Sequence, residues 1–218
     1  MNIQKFKQLP LMGILRGVTA DQLEALMPAV LSSGLRTLEI TMNTKGAAEL
    51  IRKARNLSKG RLMIGAGTVM TMKDLRQAID AGATFIVSPV LIKDTAKYCV
   101  KHRIPYFPGA LTPQEIYRAW EMGASMVKIF PAKLYGPEYF REIKGPLNEV
   151  ELLACGGVTL GNLPDFFANG ADAVTLGAGV FRKEWLQAKD FKKIGHCIKT
   201  FIHAYLAFRL KNSKMGAR

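Results

Sequence analysis

A lysine stands in the middle of an apolar run, "SMVKIFPAK" (125–133), where Met126, Val127, Ile129 and Phe130 surround Lys128 and Pro131 closes the stretch. A buried ammonium is costly unless it is paired or gives up its proton. A carboxylate, Glu39, occupies a comparable place in the apolar run "LRTLEIT" (35–41). A buried lysine and a buried glutamate admit two readings. They form a structural ion pair, or the desolvated amine attacks a carbonyl to give a Schiff base while the carboxylate moves protons. Residue type alone leaves both open.

The elements that carry these residues narrow the geometry. Short apolar runs alternate with helical patterns that start polar and stop at glycine. The strands are expected at 11–16, 35–41, 61–66, 84–88, 104–109, 125–130, 150–154 and 172–177. Eight strand–helix units in 218 residues predict a single-domain (β/α)8 TIM barrel spanning 1–218. A doubly wound open sheet is the alternative. Four helices end in related phrases that lead into the even-numbered strands: "SGLRTLEI", "AGATFIVS", "MGASMVKI" and "NGADAVTL". Five residues after each glycine come Glu39, Val87, Lys128 and Thr175. Interior layers of such a barrel take one side chain from each alternate strand, so these four are expected in one layer, with Glu39 facing Lys128. Thr37 and Thr41 then share the face of Glu39, and Met126 and Phe130 that of Lys128.

Barrel enzymes work at the C-terminal rim of the strands. There the chain offers "ACGGV" (154–158) and "LGAG" (176–179), whose Gly156, Gly157, Gly177 and Gly179 allow close backbone approach by a phosphate or carboxylate. "GAGTV" (65–69) is a similar turn, and Thr68 is free to bind a ligand if Thr71 caps the following helix. Arg16, at the end of "GILRG", is either a fork for a carboxylate or phosphate or a structural rim partner. His102, His196 and His203 all fall on helices without a ligand partner nearby, so no metal is expected.

The net charge of +14 raises the question of nucleic acid. Residues 182–218 carry +8 of it, with Glu184 and Asp190 their only acids, and no zinc-finger or RNA-binding motif accompanies them. A solvated basic face is expected, with 209–218 a frayed tail, no nucleic-acid partner and a small anionic substrate. A non-catalytic barrel that binds polyanions through this end is the distant alternative, and a phosphate-binding isomerase or synthase is another. Cys99, Cys155 and Cys197 are widely spaced and odd in number, which predicts free thiols. With no apolar run of membrane length and no signal-peptide pattern in "MNIQKFKQLP", a cytoplasmic location without membrane contact is expected.

The motifs "GILRG", "LEITMNT", "GAGTV", "SPV", "PGALTPQEI", "VKIFPA" and "CGGV" run in this order over nearly the whole chain. In them the sequence resembles the 2-keto-3-deoxy-6-phosphogluconate and 4-hydroxy-2-oxoglutarate aldolases. The resemblance implies a barrel, a homotrimer and a metal-independent aldolase that needs no cofactor. It implies that Lys128 forms the Schiff base, Glu39 shuttles protons, and Thr68 helps hold pyruvate. Arg16, Asn43, Pro89, Phe130 and Cys155 then line the substrate site, and Gly156, Gly157, Gly177 and Ala178 face its phosphate. Three positions depart from the family's usual residues. Asn43 replaces an arginine that helps bind pyruvate's carboxylate, Cys155 a threonine that affects which stereoisomer is accepted, and Ala178 a serine of the strand-8 loop. These departures leave an unphosphorylated 4-hydroxy-2-oxo acid as the alternative to a 2-keto-3-deoxy-6-phospho sugar acid.

Overall fold

The computed structural model describes the backbone of residues 1–215 and side chains as far as Asn212. Nine parallel strand segments form one sheet: β1 Leu11–Leu15, β2 Thr37–Thr41, β3 Met63–Gly67, β4 Ile86–Val87, β5 Tyr106–Phe107, β6 Gly109–Ala110, β7 Val127–Ile129, β8 Leu152–Ala154 and β9 Ala173–Leu176. Their order runs β5-β4-β3-β2-β1-β9-β8-β7-β6. The two ends of that order are halves of one expected strand. Pro108, which has no N–H to give to a ladder, divides it. Its carbonyl still accepts from Lys128 N–H at 2.8 Å. The order therefore returns on itself, and the sheet is a single-domain TIM-type barrel rather than an open doubly wound sheet.

The pairing register proves the closure. Lys128 pairs with Leu153 and Leu153 with Ala173, two residues before Thr175. Thr175 pairs with Met12, and the Gly13–Leu38 pair sets Met12 beside Thr37, two residues before Glu39. Glu39 pairs with Gly65, and the Ala66–Ile86 pair sets Gly65 beside Phe85, two residues before Val87. Val87 pairs with Phe107, two residues before Gly109, and Gly109 pairs with Lys128. Four steps of two give a stagger of eight, the shear of a TIM barrel. Glu39, Val87, Lys128 and Thr175 are thus one interior layer.

The glycines ending the helices before these strands make that layer possible. Gly34, Gly82, Gly123 and Gly170 have φ of 88°, 90°, 82° and 96°, the left-handed conformation that turns each helix directly into its strand. The preceding helices are α2 Ala20–Ser33, α4 Met72–Asp80, α6 Pro113–Glu121 and α8 Leu163–Ala168. Thr19, Thr71 and Thr112 start the first three with capping boxes to Gln22, Asp74 and Glu115. Each box satisfies N–H groups that would otherwise be orphaned, at about 1 kcal/mol per cap.

An inner cluster of Met12, Phe85, Val87, Phe107, Met126, Leu153 and Ala173 fills the barrel. Phe6 closes its lower end from α1 (Ile3–Gln8), an element the sequence pattern does not announce. Its ring meets Phe107 edge-on at 6.0 Å. A larger apolar layer lies between the strands and the outer helices, which also include α3 Ala47–Ser58, α5 Lys93–Lys101, α7 Glu138–Lys144 and α9 Lys183–Gln187. The last helix, α10, spans Phe191–Met215. Residues 209–215, expected to fray, therefore continue it: Phe208 packs on Phe167 at 5.9 Å, and Arg209 donates to the Gln8 carbonyl at 3.3 Å. The rest of the expected tail, 216–218, lies outside the described residues. Among the described residues no helix is long and apolar enough to cross a membrane.

Candidate active site

Lys128 on β7 is 6 % exposed and Glu39 on β2 is 1 % exposed. They occupy one layer but are not joined as a pair. Glu39 Oε2 is buried without any hydrogen-bond partner among the described residues. The Lys128 ammonium instead lies 5.3 Å from the centroid of the Phe130 ring, a cation–π distance. A structural ion pair between buried charges repays its desolvation only through close geometry. An orphaned carboxylate oxygen facing a lysine argues for the reactive reading, with room left between the two groups.

Glycine provides that room. Gly65 and Gly67 belong to β3 itself and are not a rim turn. A Cβ on Gly67 would sit 2.5 Å from Glu39 Oε1, and one on Gly65 would sit 2.4 Å from the Phe85 ring. The carboxylate rests on the bare backbone of its neighbouring strand. Burial raises the Glu39 pKa, opposed by the positive charges of Lys128 and Arg16. Burial thus disfavours the charged carboxylate while the two cations favour it, opposing influences that functional carboxyl groups often combine.

The other expected residues stand on the same rim. Thr68 follows β3 with φ of 55°, an unusual conformation for a β-branched residue, and accepts from Arg16 Nη2 at 3.3 Å. Thr71 caps α4 through Asp74, leaving the Thr68 hydroxyl proton free to donate. Thr44, not anticipated from the sequence, ties the loops after β1 and β2 together. Its Oγ1 accepts from Gly17 N–H at 3.0 Å and lies 3.0 Å from Thr41 Oγ1. Arg16 and Asn43, both exposed on those loops, are held over the same mouth. The Pro89 carbonyl lies where a Gly109 Cβ would be, at 1.9 Å, so the backbones touch there and only glycine fits.

Cys155 follows β8 and is buried. The Leu153–Ala173 register places it beside Thr175, one step above Lys128 on the same face. Burial raises its thiol pKa, against the opposing influence of Lys128 and Thr175. Gly156 and Gly157 follow with φ of 90° and 87°. Gly177, Ala178 and Gly179 lie at the end of β9, half-buried or exposed. The N–H groups of Gly156, Gly157, Val158, Ala178 and Gly179 have no acceptor among the described residues. Two adjacent loops thus present free donors to the mouth of the barrel, as an anion requires.

A buried lysine and an unpaired glutamate in one barrel layer, beneath loops open to an anion, match what sequence comparison finds. Residues 3–197 match the family described as KDPG and KHG aldolase. The chain belongs to the KDPG and KHG aldolase family. It is 33% identical over 193 residues to the 2-dehydro-3-deoxy-phosphogluconate aldolase of Treponema pallidum (strain Nichols), covering 87% of this chain and 91% of that protein. It is 32% identical over 199 residues to the 2-dehydro-3-deoxy-6-phosphogalactonate aldolase of Escherichia coli (strain K12), covering 91% and 95%. Among solved structures, one titled "Native KDPGal structure" superposes with a TM-score of 0.87 at 29% identity, covering 93% of this chain and 97% of that one. The chain is accordingly an aldolase, a carbon–carbon lyase. Relatives named for gluconate-type and galactonate-type substrates are equally similar to it, so overall identity does not select between them.

Proposed function

We propose that the protein cleaves a 2-keto-3-deoxy-6-phospho sugar acid to pyruvate and glyceraldehyde 3-phosphate through a Schiff base on Lys128. The observation that carries this reading is the arrangement of Lys128 and Glu39 in one interior layer, close but unpaired. Lys128 Nζ adds to the C2 carbonyl carbon, and loss of water leaves an iminium. Glu39, as carboxylate and through a water, takes the C4 hydroxyl proton. The C3–C4 bond breaks, its electron pair entering the iminium to give an enamine while C4 leaves as the aldehyde. The enamine is protonated at C3, and water hydrolyses the iminium to release pyruvate and restore the amine. Burial of Glu39 favours its taking up that proton, and the opposing charges of Lys128 and Arg16 favour its release.

Arg16 and Thr68, already joined, take pyruvate's carboxylate, a task in which uncharged Asn43 contributes at most a hydrogen bond. Pro89 and Phe130 form the apolar wall, and Cys155 faces the C4 end. The free N–H groups of the β8 and β9 loops take the phosphate. The site uses no metal or cofactor, and a cytoplasmic location fits three free thiols. A homotrimer fits the exposed apolar side chains Val90, Tyr117, Leu134 and Tyr135 at the β4, β6 and β7 side of the barrel.

The unphosphorylated alternative, 4-hydroxy-2-oxoglutarate, is favoured by Ala178, which brings no hydroxyl to the loop. Steady-state kinetics on matched phosphorylated and unphosphorylated 4-hydroxy-2-oxo acids separates the two. The proposal expects kcat/KM at least about tenfold higher for the phosphorylated compound, the worth of one charge-assisted contact. Equal or reversed values would assign the unphosphorylated substrate.

A further inference from the structure

Lys133 follows the reactive strand in the short 3-10 turn Ala132–Leu134. Its position is tied to the glycine pair after β8 more closely than any motif indicates. A Cβ on Gly157 would lie 2.4 Å from Lys133 Cβ, 3.1 Å from its Cα and 3.6 Å from its Cγ. The lysine stem therefore leaves the backbone directly against Gly157 and uses the space a side chain there would take. The ammonium end is solvent-exposed and makes no hydrogen bond or ion pair among the described residues. Beside it are the unoccupied N–H donors of Gly156, Gly157 and Val158. The β9 loop opposite carries Ala178 and so brings backbone donors but no hydroxyl.

We propose that Lys133 is the cationic member of this anion site, closing over the Gly156–Gly157 turn onto the substrate's phosphate and replacing the contact that Ala178 cannot make. The inference rests on the phosphorylated-substrate reading and deepens it. A lysine acts here as a mobile point charge on a flexible stem, suited to a phosphate held mainly by backbone N–H groups. Neutral backbone donors fix the phosphate's place, and the ammonium neutralises its charge.

The test compares wild type, Lys133→Gln and Lys133→Arg on matched phosphorylated and unphosphorylated substrates. Lys133→Gln is expected to raise KM for the phosphorylated compound about tenfold, with the loss falling on KM rather than kcat, because the contact is made equally before and during reaction. Lys133→Arg is expected to restore most of it. A fall in kcat/KM that is the same for both substrates, or none at all, would overturn the proposal. Calorimetric titration with inorganic phosphate keeps the question separate from the choice of substrate. Wild type is expected to bind phosphate, and Lys133→Gln about tenfold more weakly. Equal binding by the two proteins, or none by wild type, would overturn the role of Lys133 whichever substrate is turned over.

Discussion

Gly67 holds the space that the Glu39 carboxylate occupies: a Cβ at that position would sit 2.5 Å from Oε1 and 2.7 Å from Cδ. The relationship explains why glycine stands inside a strand, where it otherwise weakens the element. Replacing Gly67 by alanine should displace the carboxylate from its place and lower kcat by at least about tenfold, since a displacement of order 1 Å at the proposed proton shuttle costs that much or more. Gly65→Ala is the companion variant. It strikes the Phe85 ring and should cost about 1–3 kcal/mol of stability from overpacking. Urea unfolding and initial rates on both variants check the division. Loss of activity in Gly67→Ala without a comparable loss of stability is the expected result.

Glu39 also makes stability depend on pH. Its folded pKa is raised by burial, so from its ordinary value of 4.5 upward to the folded value the native state holds more protons than the unfolded one. Stability should therefore fall as pH rises through that window and level off above it, where the buried group is charged. Glu39→Gln should flatten this part of the profile and be the more stable protein at neutral pH. Urea midpoints measured from pH 4.5 to 8 would show it.

The fold was largely legible because its signals are local. Gly34, Gly82, Gly123 and Gly170 mark helix ends by a conformation few other residues tolerate, and each starts the count to one member of the interior layer. Where the signal depends on distant parts of the chain, the reading fell short. Gly65 and Gly67 look like a turn until Phe85 and Glu39 are seen to fill their places. Lys133 looks like an ordinary surface lysine until Gly157 is found beneath it. Phe6 plugs the barrel from a helix of six residues, too short for periodicity to show. The same limit applies to the contacts of Phe208 with Phe167 and of Arg209 with the Gln8 carbonyl, which no composition reveals.

Thr68 carries backbone strain at the position where the proposed site calls for a hydroxyl. Thr68→Gly should stabilise the protein by roughly 0.5–1 kcal/mol by relieving that conformation, while freeing Arg16 and raising KM for the keto acid several-fold. Thr68→Ala should raise KM with a smaller gain in stability, since alanine sheds the β-branch but keeps a Cβ at positive φ. Thermal unfolding beside steady-state kinetics reads both effects, and a gain in the alanine variant larger than that in the glycine variant would contradict the strain argument.

The three thiols should differ in reactivity. Burial pushes Cys99 to about 12 and raises Cys155, whereas Cys197 on α10 is only half-buried, its thiol raised by burial but lowered by Arg182. Thiolate is the reactive form, so iodoacetamide near pH 7.5 should modify Cys197 first and leave Cys155 largely intact in the native protein. Peptide mass mapping over time gives the order.

The central claim is that Lys128 is tolerated in the core because it reacts. Sodium borohydride added with pyruvate to the native protein, followed by proteolysis and mass spectrometry, tests this most directly. The account predicts a reduced pyruvate adduct on the peptide containing Lys128, absent from Lys128→Met. A folded wild-type protein with no adduct, or with the adduct on another lysine, would contradict it.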